Sequence, residues 1–118
     1  MEKIQNYING EFVNPIQDNW LNNYNPSNGD VYGQLPNSTK EDIEKAYLAA
    51  ENAFVSWSNT TLQERSSIIL KIAELIIKKL DFLAAAESKD NGKPISLARS
   101  IDIPRAASNF QFFANAIT

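Results

Sequence analysis

The first 36 residues carry short apolar runs separated by turn-forming residues, a pattern typical of β-strands. Residues Asn6–Val13 place an Asn-Gly pair between two such runs, which predicts a hairpin with a two-residue turn. Two further strands are predicted, at Trp20–Tyr24 and at Val31–Leu35, the second closed by Pro36. An isolated hairpin is marginal in water, so these strands are expected to lie on a larger body.

From Thr39 onward the apolar positions recur every three or four residues, which predicts helices. Ser38 or Thr39 can cap the first helix, and Glu41 and Asp42 fall in its first turn, where the helix dipole favours acids. We expect one apolar stripe of this helix to be buried. The stripe consists of Ile43, Ala46, Tyr47, Ala50, Phe54 and Trp57.

A second helix is predicted to begin at Thr61, because Thr61 and Glu64 have the spacing of a capping box. It is expected to continue without interruption through Phe82 to Asn91-Gly92. Its apolar arc is too wide for one neighbour, which predicts packing between two layers. The aliphatic positions are Ile68, Ile69, Ile72, Leu75, Ile76, Ile77 and Leu80.

The stretch from Glu87 to Arg105 predicts a sharp, structured corner. Gly92 suits the left-handed position just past a helix end, and Pro94 suits the first turn of the next helix. Pro104 is expected to interrupt that next helix immediately before Arg105. Such a corner would hold its side chains rigidly enough to serve a site.

Residues 105–118 have a helical pattern with Phe110 and Phe113 on one side. No Gly or Pro closes this pattern, so the chain is expected to stop within an element. We see no linker, no repeat and no low-complexity stretch, and 118 residues suffice for one domain.

Composition excludes several classes of function. The net charge is −3, the pI is about 4.9, and no basic stripe is present, which argues against nucleic-acid binding. No apolar stretch of roughly 20 residues predicts a membrane span. The N-terminus lacks the basic start and apolar run of a signal peptide, so we expect a cytoplasmic protein.

The chain contains no Cys and no His, which removes the thiolate nucleophile, the commonest general base and the commonest transition-metal ligands. Its four glycines form neither a Gly-x-Gly-x-x-Gly nor a Gly-x-x-x-x-Gly-Lys loop. These residues alone therefore encode almost no catalytic equipment.

Nearly the whole chain, in order and without a large gap, resembles the N-terminal portion of the aldehyde dehydrogenases. The matching segments are Tyr7–Val13, Asn25–Val31, the helix from Glu41 to Trp57, Gln63–Arg65 and Glu87–Pro94. Asp102–Arg105 followed by Asn109–Ala114 is most similar to the 2-aminomuconic and 2-hydroxymuconic semialdehyde dehydrogenases.

The resemblance implies an α/β parent fold, of which this chain is a hairpin with short strands (1–36) followed by a predominantly helical region (39–118). In the family, a cysteine thiolate attacks the aldehyde, the thiohemiacetal gives hydride to NAD, and a glutamate-activated water hydrolyses the thioester. That cysteine, that glutamate and the cofactor loop lie beyond the matched region. Truncation therefore explains the absence of Cys, and we expect no activity from these residues alone.

The resemblance also assigns supporting roles to this region. The hairpin belongs to the surface through which the complete enzyme forms a homo-oligomer, and the helices pack on the cofactor-binding sheet and wall the substrate tunnel. Asp90, with backbone oxygens of Asn23 and Tyr24, corresponds to a monovalent cation site. Arg105 would face the tunnel and hold the carboxylate of a semialdehyde.

Each of these residues has an ordinary structural alternative. Arg105 can be a solvated or surface-paired arginine, although a cation in the first turn of a helix gains nothing from the dipole. Asp90 can be a helix C-terminal acid bonded to turn amides. The cluster of Phe110, Phe112 and Phe113 can be core rather than tunnel wall. Lys93 is better explained as an exposed turn lysine than as an amine nucleophile.

Two hypotheses follow. The chain is either part of a truncated NAD-dependent aldehyde dehydrogenase or a free-standing helical interaction module without enzymatic activity. A separate chain that supplies the remainder by complementation is a third. An interaction module should fold as a monodisperse domain, whereas a severed portion should expose apolar helix surface and self-associate.

Overall fold

The computed structural model describes residues 1–118, which form two compact units, Met1–Asn59 and Thr60–Thr118. The first unit contains all five strands and the first helix, and the second is entirely helical. The assignment of the chain as one segment, with strands in 1–36 and helices in 39–118, stays a prediction. Each unit is described in turn.

The strands of the first unit are β1 (Glu2–Lys3), β2 (Asn6–Ile8), β3 (Glu11–Val13), β4 (Trp20–Tyr24) and β5 (Val31–Pro36). They form two sheets. One has the order β1-β5-β4, with β1 parallel and β4 antiparallel to β5, and the other is the β2–β3 hairpin. All the strands expected from the sequence are therefore present, and β1 is an addition.

The hairpin turn and the central strand show why particular residues are needed. Asn9 and Gly10 have φ angles of 54° and 82°, the positive values required by the two-residue turn. In β5, a Cβ added to Gly33 would lie 3.1 Å from the carbonyl oxygen of Glu2. A glycine therefore allows β1 to approach the centre of the sheet.

Helix α1 (Lys40–Trp57) begins after Thr39 and is anchored by Asp42. The buried carboxylate of Asp42 accepts hydrogen bonds from the backbone amides of Thr39 (2.8 Å) and Ile16 (3.0 Å). These bonds, with that of Thr39 foremost, lower the pKa of Asp42 although burial opposes the shift. Asp42 therefore ties the start of the helix to the loop that precedes β4.

The apolar stripe predicted for α1 is not buried. Ile43, Tyr47 and Phe54 are 65%, 63% and 64% exposed, and Asp42 is the only buried residue of the helix. Within its unit, α1 packs against β2 at one end, and the rest of the stripe has no neighbour to cover it. The periodicity of the sequence predicts an apolar face on α1, but it does not predict whether another element packs on that face.

The second unit contains α2 (Leu62–Lys78), α3 (Leu80–Asn91), α4 (Ile95–Leu97), a π-helical segment (Ala98–Asp102) and α5 (Ile103–Ala116). The capping box is confirmed, since the amide of Glu64 donates to the Thr61 hydroxyl and the amide of Thr61 donates to the Glu64 carboxylate. The hydrogen bonds that the Thr61 amide and then its hydroxyl donate to the Glu64 carboxylate lower the pKa of Glu64.

The prediction of a single long helix up to Asn91 is wrong. The chain breaks at Lys79, whose φ and ψ of −103° and 20° lie outside the helical region and whose amide donates to the carbonyls of Leu75 and Ile76. Neither Gly nor Pro marks this position. The break separates α2, which packs on α5, from α3, which packs mainly on the π-helical segment, so tertiary packing sets it.

The prediction that Pro104 interrupts the helix is also wrong. Pro104 lies at the start of α5, where a missing amide hydrogen costs nothing, and the turn before it is widened. The amide of Ile103 donates to the carbonyl of Ala98, five residues earlier, which is the π-helical bond. Pro94 caps α4 rather than lying inside its first turn. The chain therefore stays helical from Ile95 to Ala116.

The buried core of the chain is small. Its buried hydrophobic residues are five alanines with at most 2% exposure, Ala73, Ala84, Ala98, Ala107 and Ala114, and no large side chain is fully buried. Three of them lie on α2 and α5, where small side chains allow the two helices to approach closely. On α2, Ile68, Ile72 and Leu75 remain 39–48% exposed, so the second layer expected for this helix is not part of its unit.

The exposed surface is correspondingly large. The chain exposes 8484 Å², whereas one compact protein of its mass would expose about 6400 Å² and two independent halves together about 7700 Å². Many large apolar side chains on the helices are part of this exposed surface. No helix of this chain is both long and apolar enough to cross a membrane.

Candidate functional site

The corner between α3 and α4 is fixed by a set of short hydrogen bonds. Gly92 adopts the left-handed conformation (φ 77°) predicted for it, and its amide donates to the carbonyl of Ser88. The Ser88 hydroxyl donates to the carbonyl of Lys93 at 2.6 Å, and the Lys93 amide donates to the Asn91 side chain at 2.9 Å. Asn91 in turn donates to Glu87 at 2.7 Å. The predicted rigid corner is present.

Two ion pairs reach the π-helical segment, one from this corner and one from the first turn of α3. The Lys93 ammonium lies 2.6 Å from the carboxylate of Asp102, and the Arg99 guanidinium lies 2.6 Å from that of Asp81. The first pair is part-buried and the second is exposed. Sequence analysis missed both, because partners nine and eighteen residues apart leave no local signal.

Lys93 is therefore not the freely exposed turn lysine that we expected. Its side chain is 38% exposed, and its ammonium is paired with the Asp102 carboxylate. This contact links the corner to the π-helical segment.

Arg105 lies in the first turn of α5, three residues beyond Asp102, and is exposed. Its guanidinium forms no ion pair or hydrogen bond, while its backbone carbonyl accepts a hydrogen bond from the Ser108 hydroxyl at 3.2 Å. The structure therefore has the solvated arginine of the ordinary structural alternative, and not the surface-paired one. An unneutralised guanidinium can take a carboxylate through two parallel hydrogen bonds.

The three phenylalanines of α5 are not core residues of their unit. Phe110, Phe112 and Phe113 are 41%, 66% and 64% exposed, and the rings of Phe112 and Phe113 meet edge to face at 5.2 Å. Phe110 and Phe113 line an apolar cleft of about 290 Å³ with Ile69 and Asn109. The shared side predicted for Phe110 and Phe113 is thereby confirmed, and this cleft is suited to an apolar ligand or chain segment.

The residues predicted to hold a cation lie in both units. Asp90 is exposed on α3, and Asn23 and Tyr24 lie in β4 where its register with β5 shifts. No cluster of three or more His, Cys, Asp or Glu side chains that could hold a metal occurs in the chain. The cation site stays a prediction.

A nicotinamide dinucleotide does not fit these residues. Gly10, Gly29 and Gly92 all have positive φ, at the hairpin turn, ahead of β5 and at a helix end, and Gly33 is inside β5. None of them forms a phosphate-binding loop before a helix.

Comparison with known proteins identifies relatives of this chain. The family model described as "Aldehyde dehydrogenase family" matches residues 12–118. The 2-aminomuconic semialdehyde dehydrogenase of Bos taurus is 50% identical over 114 residues, which are 97% of this chain and 23% of the relative. The acetaldehyde dehydrogenase of Pseudomonas aeruginosa is 46% identical over 112 residues, 95% of this chain and 22% of the relative.

Solved structures agree with the sequence relatives. The NAD+ complex of the Bacillus cereus aldehyde dehydrogenase superposes with a TM-score of 0.93 at 39% identity, over 97% of this chain and 24% of that one. The chain thus spans less than a quarter of the length of the relatives it matches. Its strands and helices are one segment of their α/β fold. By sequence and by structure, the chain belongs to the aldehyde dehydrogenase family.

Proposed function

We propose that these 118 residues serve as the N-terminal portion of an NAD-dependent aldehyde dehydrogenase that oxidises a carboxylated semialdehyde to its acid. The complete enzyme would be a cytoplasmic homo-oligomer. In it, this segment supplies scaffold and part of the substrate tunnel, while the cysteine, the glutamate and the cofactor site come from the remainder of the chain. The identity to 2-aminomuconic semialdehyde dehydrogenases supports the choice of substrate class.

The observation that carries the proposal is the uncovered apolar surface. Phe54 on α1, Ile68 on α2 and Phe113 on α5 are each 48–64% exposed, although they belong to regular apolar faces. Contiguous faces of this kind mark interaction surfaces. The relatives contain more than three-quarters of their length outside the matched region, and we infer that this remainder covers the faces.

A chimera tests the proposal. Residues 1–118 would replace the matched segment of the Bos taurus relative, and NADH formation would be followed with a carboxylated semialdehyde. We expect an assembled, active oligomer, because the segment would find the packing partners that its faces require. A chimera that is folded and assembled but inactive on every aldehyde would contradict the proposed function.

Within that function, we propose that the Asp90 carboxylate is a ligand of a monovalent cation. Replacing sodium and potassium by a bulky organic cation should lower the melting temperature of the chimera and leave the Asp90→Asn variant unchanged. Asp81→Asn is the control, because it removes an exposed α3 carboxylate engaged with Arg99. Equal sensitivity in all three proteins would exclude this cation site.

A further inference from the structure

The ion pair between Lys93 and Asp102 has a geometric relation to Arg105 that the proposed function does not use. Asp102 and Ile103 both have helical φ and ψ angles, and α5 continues from Ile103 through Arg105. Asp102 and Arg105 are therefore neighbours at i and i+3 on a helical surface. Opposite charges at this spacing attract each other.

In the structure this neighbouring pair does not form. The Asp102 carboxylate is engaged by the Lys93 ammonium at 2.6 Å, and the Arg105 guanidinium is left without a partner. The other nearby arginine, Arg99, is occupied by Asp81 at 2.6 Å. Among these five charged groups, two ion pairs form and one positive charge, that of Arg105, remains uncompensated.

We propose that Lys93 is a positioning residue that sequesters Asp102 and thereby keeps Arg105 available for the substrate carboxylate. The inference rests on the proposed role of Arg105. It adds that Asp102 competes with the substrate carboxylate for this guanidinium, and that the competition sets how strongly Arg105 binds the substrate. Without Lys93, the Asp102 carboxylate would turn to Arg105 and compete with the substrate for the same guanidinium. The rigid corner around Ser88 and Asn91 holds Lys93 in reach of Asp102.

The competition can be measured in the full-length chimera with Lys93→Met, which keeps the length of the stem and removes the charge. Exposed ion pairs are weak, so we expect KM for a carboxylated semialdehyde to rise about two- to sixfold. The maximal rate and KM for a neutral aldehyde should stay unchanged. The inhibition constant of the dicarboxylate product should rise in the same way, and this constant reports binding without turnover.

The double variant Lys93→Met/Asp102→Asn separates sequestration from a merely structural role. If Lys93 acts by restraining Asp102, removal of the Asp102 charge restores the KM of the unaltered chimera, although the ion pair remains absent. If the pair only holds the fold, the double variant stays impaired on both aldehydes, and the proposal is wrong.

Lys40→Met provides a matched control. It also removes the ammonium of an ion pair, with Glu44 at 3.6 Å, but a tyrosine rather than an arginine lies three residues after that glutamate. Its KM values should not change, which excludes a general effect of net charge. Failure of the proposed role of Arg105 is recognised separately, because Arg105→Ala would then affect both aldehydes equally.

Discussion

Replacing Arg105 with alanine in the chimera is expected to raise KM for a carboxylated semialdehyde about 10- to 100-fold. Hydrogen bonds to a charged group contribute about 1.5–3 kcal/mol, which corresponds to that range of affinity. Because the carboxylate is remote from the aldehyde carbon, ground state and transition state lose the same interaction. The maximal rate should therefore be retained.

Steady-state kinetics with paired substrates provide the measurement. A neutral aldehyde of similar length should show no change in KM, because it offers no carboxylate to the guanidinium. Arg99→Ala is the matched control, since Arg99 lies in the π-helical segment just before α5 but is already paired with Asp81. Arg105→Lys should recover part of the loss, as an ammonium keeps the charge but not the two parallel bonds. A uniform effect on neutral and carboxylated aldehydes would contradict a role in substrate binding.

The isolated 118-residue chain is expected to bind ANS and to self-associate as its concentration rises. Its exposed surface exceeds that expected for two compact units of half its mass by several hundred Å². The stripe of α1, in which Tyr47 and Phe54 are 63% and 64% exposed, is available for such association. Dye fluorescence and analytical ultracentrifugation across a concentration series measure both effects.

A pair of charged substitutions tests the origin of the association. Tyr47→Glu/Phe54→Glu should reduce self-association of the isolated chain without loss of helix content, because nothing in the first unit covers either ring. In the chimera the same change should prevent assembly, since the remainder of the enzyme has to pack on this stripe. A monodisperse chain that binds no dye would instead support the interaction module as its function.

Local interactions explain which elements could be predicted from the sequence. The hairpin depends on the positive φ angles of Asn9 and Gly10, and the capping box at Thr61 depends on bonds within four residues. The end of α3 depends on the left-handed conformation of Gly92. Each signal acts over a few residues, so the sequence contains it in full.

The errors all concern interactions between elements. The break at Lys79 separates α2, which packs on α5, from α3, which packs mainly on the π-helical segment, and no local pattern records these partners. The ion pairs around Arg105 could likewise be identified only from the structure. Sequence analysis selected Arg105 as the candidate, and the structure added that Lys93 occupies the neighbouring acid, Asp102.

The sequence by itself determined the family, the order of the elements and the residues with special backbone requirements, because each of these follows from residue identity and short-range spacing. Only the tertiary structure decided which apolar faces are covered and which charges are paired. Periodicity predicts a face on α1 from residues of that helix alone. Its burial depends on what packs against it, and within this chain Ile43, Tyr47 and Phe54 remain exposed.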